Sequence, residues 1–351
     1  MILHLPLLVL GLAFLAKFAD LFVDGAAKVA ARLQVSTVVT GALIIGFGTS
    51  APELVVSALA SSRGPEGTAL AMGNIIGSNI ANLTLVLAIP ALVFGSVNLP
   101  TLVLGGVDIG KGVKRQPVLL AWVKRQAANP TTMVMSQAAL SAFGVTVFAA
   151  LVFFVEPSRW WGGVLTVLML GAFGLVYWLG DQFGGVPPLD TTEGLGPWVK
   201  TVVGLVGTVG FAYLVVWSAT SIADDLGWKG GFVGFALVAV GTSLPELVTA
   251  LAAARRDESG LIIGNLLGSN LFNSLMVGAA VFFANGSTPY DKVSGLPGWP
   301  LLFMVIVSWG VIWFMKRDRQ TLHRVDRREA AILIVLYAGF LGWLAANFAT
   351  A

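Results

Sequence analysis

Two glutamates stand in matched octapeptides, Glu53 in GTSAPELV (48–55) and Glu246 in GTSLPELV (241–248). Each octapeptide is followed by a second matched motif, GNIIGSNIAN (73–82) and GNLLGSNLFN (264–273). A carboxylate in hydrocarbon is costly, so an acid kept in apolar surroundings points to function, and this chain keeps the same one twice. Hydroxyls and amides accompany each acid. Thr49 and Glu53 are one helical turn apart with Ser50 between them, Thr242, Ser243 and Glu246 repeat the arrangement, and Ser78/Asn82 and Ser269/Asn273 are each spaced i, i+4. Pro52 cannot donate a backbone hydrogen bond and clashes with the carbonyl four residues back, while Gly46 and Gly48 loosen the same turn. Carbonyls near Gly46 to Gly48 are therefore expected to be free, and Pro245 should free those near Ala239 to Gly241 in the same way.

Brought together, the two halves offer two carboxylates, six hydroxyls, two amides and several carbonyls, with no histidine or cysteine among them. An all-oxygen cage suits a hard cation, and Ca²⁺ takes about 6–8 oxygens at roughly 2.3–2.6 Å in flexible geometry. Zinc or copper would want nitrogen or sulfur, but the chain has no cysteine, and its two histidines, His4 and His323, fall at predicted membrane ends. Two carboxylates also balance one divalent ion. These residues imply a transporter of a divalent cation or sodium. No nucleophile pair or His/Asp metal motif points to an enzyme, no cofactor is implied, and nothing suggests nucleic acid or an obligate protein partner.

The elements that must position these groups are membrane helices. With 56% hydrophobic residues, 11% charged and 42 glycines, and a mean hydropathy of +0.85, the chain reads as an all-α polytopic membrane protein, since soluble domains carry about 25% charge. Ten stretches are long enough to cross a bilayer core, near 5–30, 37–61, 68–94, 133–155, 160–180, 199–223, 230–254, 259–284, 299–315 and 330–349. The weakly apolar segment 95–132, with Asp108, Lys111, Lys114, Arg115, Lys124 and Arg125, reads as a cytoplasmic loop holding an interfacial helix. The N-terminal apolar run has no basic residue before it and no small-residue cleavage site, so it reads as a retained first span.

Charge placement orients the bundle. With both termini outside, 16 of 21 basic residues fall in inner loops, four (Arg63, Arg159, Lys229 and Lys292) fall outside, and Lys17 is buried in the first span. This predicts a multi-pass protein of the cell (inner) membrane. Five spans per half is an odd number, so the repeats must be inverted, with a first repeat at 1–180, a cytoplasmic linker at 181–197 and a second repeat at 198–351. Inverted repeats with interrupted helices at matching positions are the secondary-transporter pattern, with the ion site expected at the midplane.

Other features have plainer readings. Gly73-x-x-x-Gly77 and Gly264-x-x-x-Gly268 are also helix-packing motifs. Lys17, Asp20, Asp24 and Lys28 run i+3, i+4, i+4, an expected ion-pair ladder on one face of the first span. Asp224 and Asp225 end the sixth span as a solvated outer helix end, and Trp160, Trp161, Trp198 and Trp299 fall at span ends as interfacial belts do.

GTSAPEL and GTSLPEL with GNxxGSNxxN in both halves resemble the cation/Ca²⁺ antiporter superfamily, in particular its prokaryotic sodium/calcium exchanger branch, over nearly the whole chain. The resemblance implies ion ligation by Thr49, Ser50, Glu53, Ser78 and Asn82, by Thr242, Ser243, Glu246, Ser269 and Asn273, and by the backbone carbonyls of Gly46 and Ala239. It implies exchange of about three Na⁺ for one Ca²⁺ across the lipid bilayer by alternating access. Asn273 departs from the many relatives that have aspartate there, giving a fixed charge of −2 rather than −3. Gly46 stands where relatives commonly have alanine, with a small expected effect because only the carbonyl is wanted. The same fold also serves H⁺/Ca²⁺ and other cation exchange, although the proton branch typically has an acidic residue in the second motif.

Overall fold

The computed structural model describes residues 4–33, 37–62, 64–98, 129–183, 196–225, 239–286, 298–317 and 324–348. Most of the expected interfacial loop (99–128), most of the linker (184–195), and Lys229 and Lys292 lie outside the described residues.

The described residues are mostly helical. α1 (His4–Arg32) is followed by a rod in pieces: α2 (Thr37–Thr40), a π-helical segment Gly41–Gly46, α3 (Phe47–Thr49) and α4 (Ala51–Ser61). The rod bends by 45° where Ser50 leaves helical geometry at φ −85°, ψ 6°. Pro52 explains the position of this break, because proline is tolerated in a helix's first turn but not in its interior. α5 (Pro65–Ala81) continues through a π-helical turn Asn82–Val86 into α6 (Leu87–Phe94). Then come α7 (Asn129–Phe154), α8 (Arg159–Phe183) and α9 (Gly196–Asp225).

The second half repeats the devices of the first. Ser243 breaks the chain at φ −84°, ψ 4° before α10 (Leu244–Ala254), which again carries proline in its first turn. α11 (Ser259–Phe272) runs through a π-helical turn Asn273–Val277 into α12 (Gly278–Asn285), and α13 (Gly298–Arg317) and α14 (Arg327–Phe348) close the chain. Among the described residues six helical rods are long and apolar enough to cross a membrane, and the bent 41–61 pair makes a seventh. Every stretch read from sequence as a span carries helix where it is described.

Polar side chains are buried along the rods that bear the second motifs, among them Asn74, Ser78, Asn79, Asn265, Ser269 and Asn270. The apolar rods Gly67–Phe94 and Ser259–Asn285 are 83% buried, against 28% for His4–Val29, Arg159–Trp178 and Gly196–Val215, so the rods bearing the second motifs form the core. α11 lies backbone to backbone against the 41–46 segment. A Cβ on Gly268 would sit 2.6 Å from Ala42 Cα, and one on Gly41 would sit 2.7 Å from the Leu261 carbonyl oxygen. α1 and α9 cross tightly in opposite directions, with Gly11 against Val215 and Gly25 against Thr201.

The ladder expected on α1 keeps its Asp24–Lys28 rung and is joined to a cluster across elements. Asp24 reaches Lys200 at 3.0 Å and Arg256 at 3.1 Å, closer than its helical neighbour Lys28 at 3.7 Å, and Asp20 pairs with Arg255 at 3.7 Å. Lys17 is exposed on the surface of α1. The strands β1 (Ser96–Asn98) and β2 (Arg324–Asp326) pair antiparallel at the ends of α6 and α14, and Thr68 at the start of α5 meets Asn285 at the end of α12 at 3.1 Å.

Candidate ion site

Thr49, Ser50 and Glu53 come from the break between α3 and α4, and Thr242, Ser243 and Glu246 from the matching break before α10. Ser78 and Asn82 come from α5 and its π-helical turn, and Ser269 and Asn273 from α11 and its turn. A proline-started helix opposite a π-helical turn is the local device in both halves: the first ends a hydrogen-bond ladder, and the second shifts it by one residue. Thr49, Ser50, Glu53, Ser78, Asn82, Glu246, Ser269 and Asn273 are all 0% exposed, with Ser243 at 2% and Thr242 at 4%. Water does not reach the two glutamates.

The two halves interlock through these side chains. Ser50 donates to Glu246 Oε1 at 2.9 Å, and Ser269 lies 3.2 Å from the same oxygen. Thr49 reaches Asn265 Oδ1 at 3.1 Å, and Thr242 reaches Asn74 Oδ1 at 3.0 Å, a symmetric exchange across the halves. Ser78 lies 3.4 Å from Thr242, and Asn82 donates to Asn270 Oδ1 at 3.0 Å. Of the carbonyls expected to be free, those of Gly46 and Ala239 are engaged instead. The Gly46 oxygen accepts from Ser50 N–H at 3.2 Å and Ser269 Oγ at 3.2 Å, and the Ala239 oxygen from Ser243 N–H at 3.3 Å, because each break keeps one helical turn across it.

Among the described residues ten buried side-chain oxygens have no hydrogen-bond partner, and six of them belong to the residues singled out above: both of Glu53, Oε2 of Glu246, Oγ of Ser243, and the amide oxygens of Asn82 and Asn273; the other four are on Ser61, Asn79, Gln137 and Ser218. An orphaned buried acceptor costs about 1–3 kcal/mol, and more when charged. Six oxygens with two carboxylates is the donor set of a hard cation, and among the described residues no three His, Cys, Asp or Glu side chains converge as a zinc or copper site would need.

The family model described as sodium/calcium exchanger protein matches residues 3–179 and 197–346. The chain belongs to the sodium/calcium exchanger family. It is 28% identical over 353 residues to the sodium/calcium exchanger MaX1 of Methanosarcina acetivorans, covering 95% of this chain and 96% of that protein. It is 27% identical over 353 residues to the inner membrane protein YrbG of Escherichia coli, covering 98% and 97%. The solved structure of the sodium-calcium exchanger NCX_Mj, soaked with Na⁺ and Sr²⁺, superposes with a TM-score of 0.74 at 26% identity, covering 97% of this chain and 98% of that one. Members of this family are transporters.

For this exchanger-family chain, reasoning from sequence missed Asn74 and Asn265. Both are 1% exposed, and each bonds to hydroxyls from both halves. Asn79 and Asn270 were missed as well; Asn270 donates to the Asn79 carbonyl at 3.0 Å where the two rods cross. The signal was available, because both asparagines recur at the second and seventh positions of each GNxxGSNxxN motif.

Proposed function

We propose that this chain is a secondary antiporter that exchanges Na⁺ for Ca²⁺ by alternating access. It crosses the cell membrane ten times as two inverted five-helix repeats, 1–180 and 198–351, joined by a cytoplasmic linker at 181–197, with both termini outside. The ions are held by Thr49, Ser50, Glu53, Ser78, Asn82, Thr242, Ser243, Glu246, Ser269 and Asn273, with the Gly46 and Ala239 carbonyls joining once their present hydrogen bonds are given up. The observation that carries this reading is the set of six orphaned oxygens between the two halves. Pairings at the helix ends support the topology. Lys28, Lys200, Arg255 and Arg256, all assigned inside by charge, meet Asp20 and Asp24; β1 meets β2, also both inside; and Thr68 meets Asn285, both outside.

The test is calcium uptake into vesicles loaded with Na⁺ and diluted into calcium, with and without a sodium gradient and then with a pH gradient. Uptake should follow the sodium gradient; uptake driven by the pH gradient alone overturns sodium coupling in favour of proton coupling. Three Na⁺ against one Ca²⁺ moves one net charge, worth about 2.3 kcal/mol per 100 mV, so an imposed potential should change the rate. Indifference to the potential would support a two-for-one exchange.

A further inference from the structure

Asn74 and Asn265 hold symmetric places around the site without being among its orphaned atoms. Asn265 Oδ1 lies 3.1 Å from Thr49 Oγ1 and 3.4 Å from Ser269 Oγ, and its Nδ2 donates to Thr249 Oγ1 at 3.2 Å. Asn74 Oδ1 lies 3.0 Å from Thr242 Oγ1 and 3.5 Å from Ser78 Oγ, and its Nδ2 donates to Ser57 Oγ at 3.1 Å. The orientation of the Asn265 amide is set from outside the site. Thr249 spends its proton on the Pro245 carbonyl at 2.7 Å, so the oxygen facing Asn265 can only accept, which places Nδ2 there and turns Oδ1 toward Thr49 and Ser269.

A hydroxyl lends its oxygen to a cation only if its proton is donated elsewhere, because a proton aimed at the ion opposes it. Ser269 has three acceptors in reach: Gly46 O at 3.2 Å, Glu246 Oε1 at 3.2 Å and Asn265 Oδ1 at 3.4 Å. The first two are proposed ion ligands, and an arriving ion engages them, so the asparagine is the acceptor left for that proton. Thr242 stands the same way between the Ala239 carbonyl at 3.4 Å and Asn74 Oδ1 at 3.0 Å. Thr49 differs in having the Ile45 carbonyl at 3.0 Å as a second acceptor beside Asn265 Oδ1 at 3.1 Å, so its proton is shared between them. We propose that Asn74 and Asn265 are positioning residues that take the hydroxyl protons of the opposite half's threonine and their own half's serine, Asn265 sharing that of Thr49 with Ile45, so that those four oxygens face the ion. The proposal rests on the assignment of Thr49, Ser78, Thr242 and Ser269 as ligands.

The test is calcium binding to the full chain in lipid nanodiscs, titrated for Thr49→Val, Asn265→Ala and the double variant, with thermal melting of each in the absence of ions. Each single change should weaken calcium binding by about 10–100-fold, the usual effect of losing an outer partner of a metal ligand. The double variant should bind no more than about threefold weaker than the poorer single one, because both changes remove one function. Multiplying effects, or an Asn265→Ala variant that melts lower but binds calcium normally, would overturn the proposal. A Thr49→Val variant with normal affinity removes Thr49 from the ligands, a failure of the site assignment that is distinct from a failure of the positioning role. Should Asn265→Ala not fold, the matched cycle of Asn74→Ala with Thr242→Val gives the same decision.

Discussion

Glu53 and Glu246 occupy the same position of the same motif, yet the two carboxylates are held differently. Glu246 Oε1 accepts from Ser50 across the halves and lies within reach of Ser269, while the Thr242 and Ser78 hydroxyls lie beside Glu53 without making a well-directed hydrogen bond to either of its oxygens. The hydroxyls that correspond to those two are occupied or idle elsewhere: Ser78 faces Asn74 and Thr242, and Ser243 has no partner. Two halves with the same residues therefore satisfy their carboxylates to different extents, Glu246 more than Glu53. On the proposed assignment, an ion engages Glu53 at once and must displace hydroxyls to engage all of Glu246. The repeat supplies the ligand types, and the asymmetry decides which of them are ready.

The largest effects come from removing the charges themselves. Glu53→Gln and Glu246→Gln should each abolish or severely reduce calcium transport, because each removes half of the fixed charge that balances the ion. Near wild-type rate and affinity in either variant would mean that glutamate is not a ligand. Melting of the ion-free proteins sharpens the comparison. Glu246→Gln weakens charge-assisted hydroxyl bonds and should cost about 1–2 kcal/mol, whereas Glu53→Gln removes an unpartnered buried carboxylate and should leave stability unchanged or raised. Equal losses in the two would erase the asymmetry.

The same contrast runs in reverse at the asparagines. Asn82 is fixed through Asn270, while neither side-chain atom of Asn273 has a partner. Asn273→Asp raises the fixed charge to −3 and leaves one uncompensated charge with calcium bound. That charge should recruit a monovalent companion or a proton, so calcium exchange should become newly sensitive to K⁺ or to pH between about pH 6 and 8. An unchanged K⁺ and pH profile in a folded, active variant would place residue 273 outside the ion's reach.

Much of the helical framework is legible in the sequence, because membrane helices are written in long apolar runs and the breaks in Pro52 and Pro245. Ligand types are legible because the motifs recur. Hydrogen-bond direction is not, since a hydroxyl in a motif has several acceptors in reach and packing chooses among them; Ser269 has three. The Asp24 cluster is illegible for another reason. Helical spacing brings forward only Lys28, whereas Lys200 and Arg256 arrive from 176 and 232 residues away.

A smaller effect separates the carbonyl positions. Ala239 carries a methyl where Gly46 has none, and a Cβ on Gly46 would lie 3.0 Å from both the Asn265 carbonyl oxygen and the Ser269 amide nitrogen. These are backbone atoms, so Gly46→Ala must move the 41–46 segment away from α11 by a few tenths of an ångström, and the expectation of a negligible effect gives way. Calcium affinity should fall by about threefold to tenfold, on the scale of about 1 kcal/mol for mild overpacking. A variant with unchanged affinity would show that the two rods have room to give.

The smallest effect is expected where the second half grips the first helix outside the ion site. Arg256 bonds to Asp24 at 3.1 Å and to the Asp20 carbonyl at 3.2 Å, but Asp24 keeps Lys200 at 3.0 Å without it, and the Arg256 side chain is 37% exposed. Arg256→Gln should therefore cost no more than about 1 kcal/mol, as partly exposed ion pairs do. The loss should shrink in high salt, where screening has already weakened the pair, and calcium affinity should not change because no proposed ligand touches the cluster. A salt-independent loss of several kcal/mol, or a transport defect at normal affinity, would mean that the grip of the α10–α11 turn on α1 takes part in the exchange cycle, and the functional difference between the halves would then extend from the glutamates to the membrane surface.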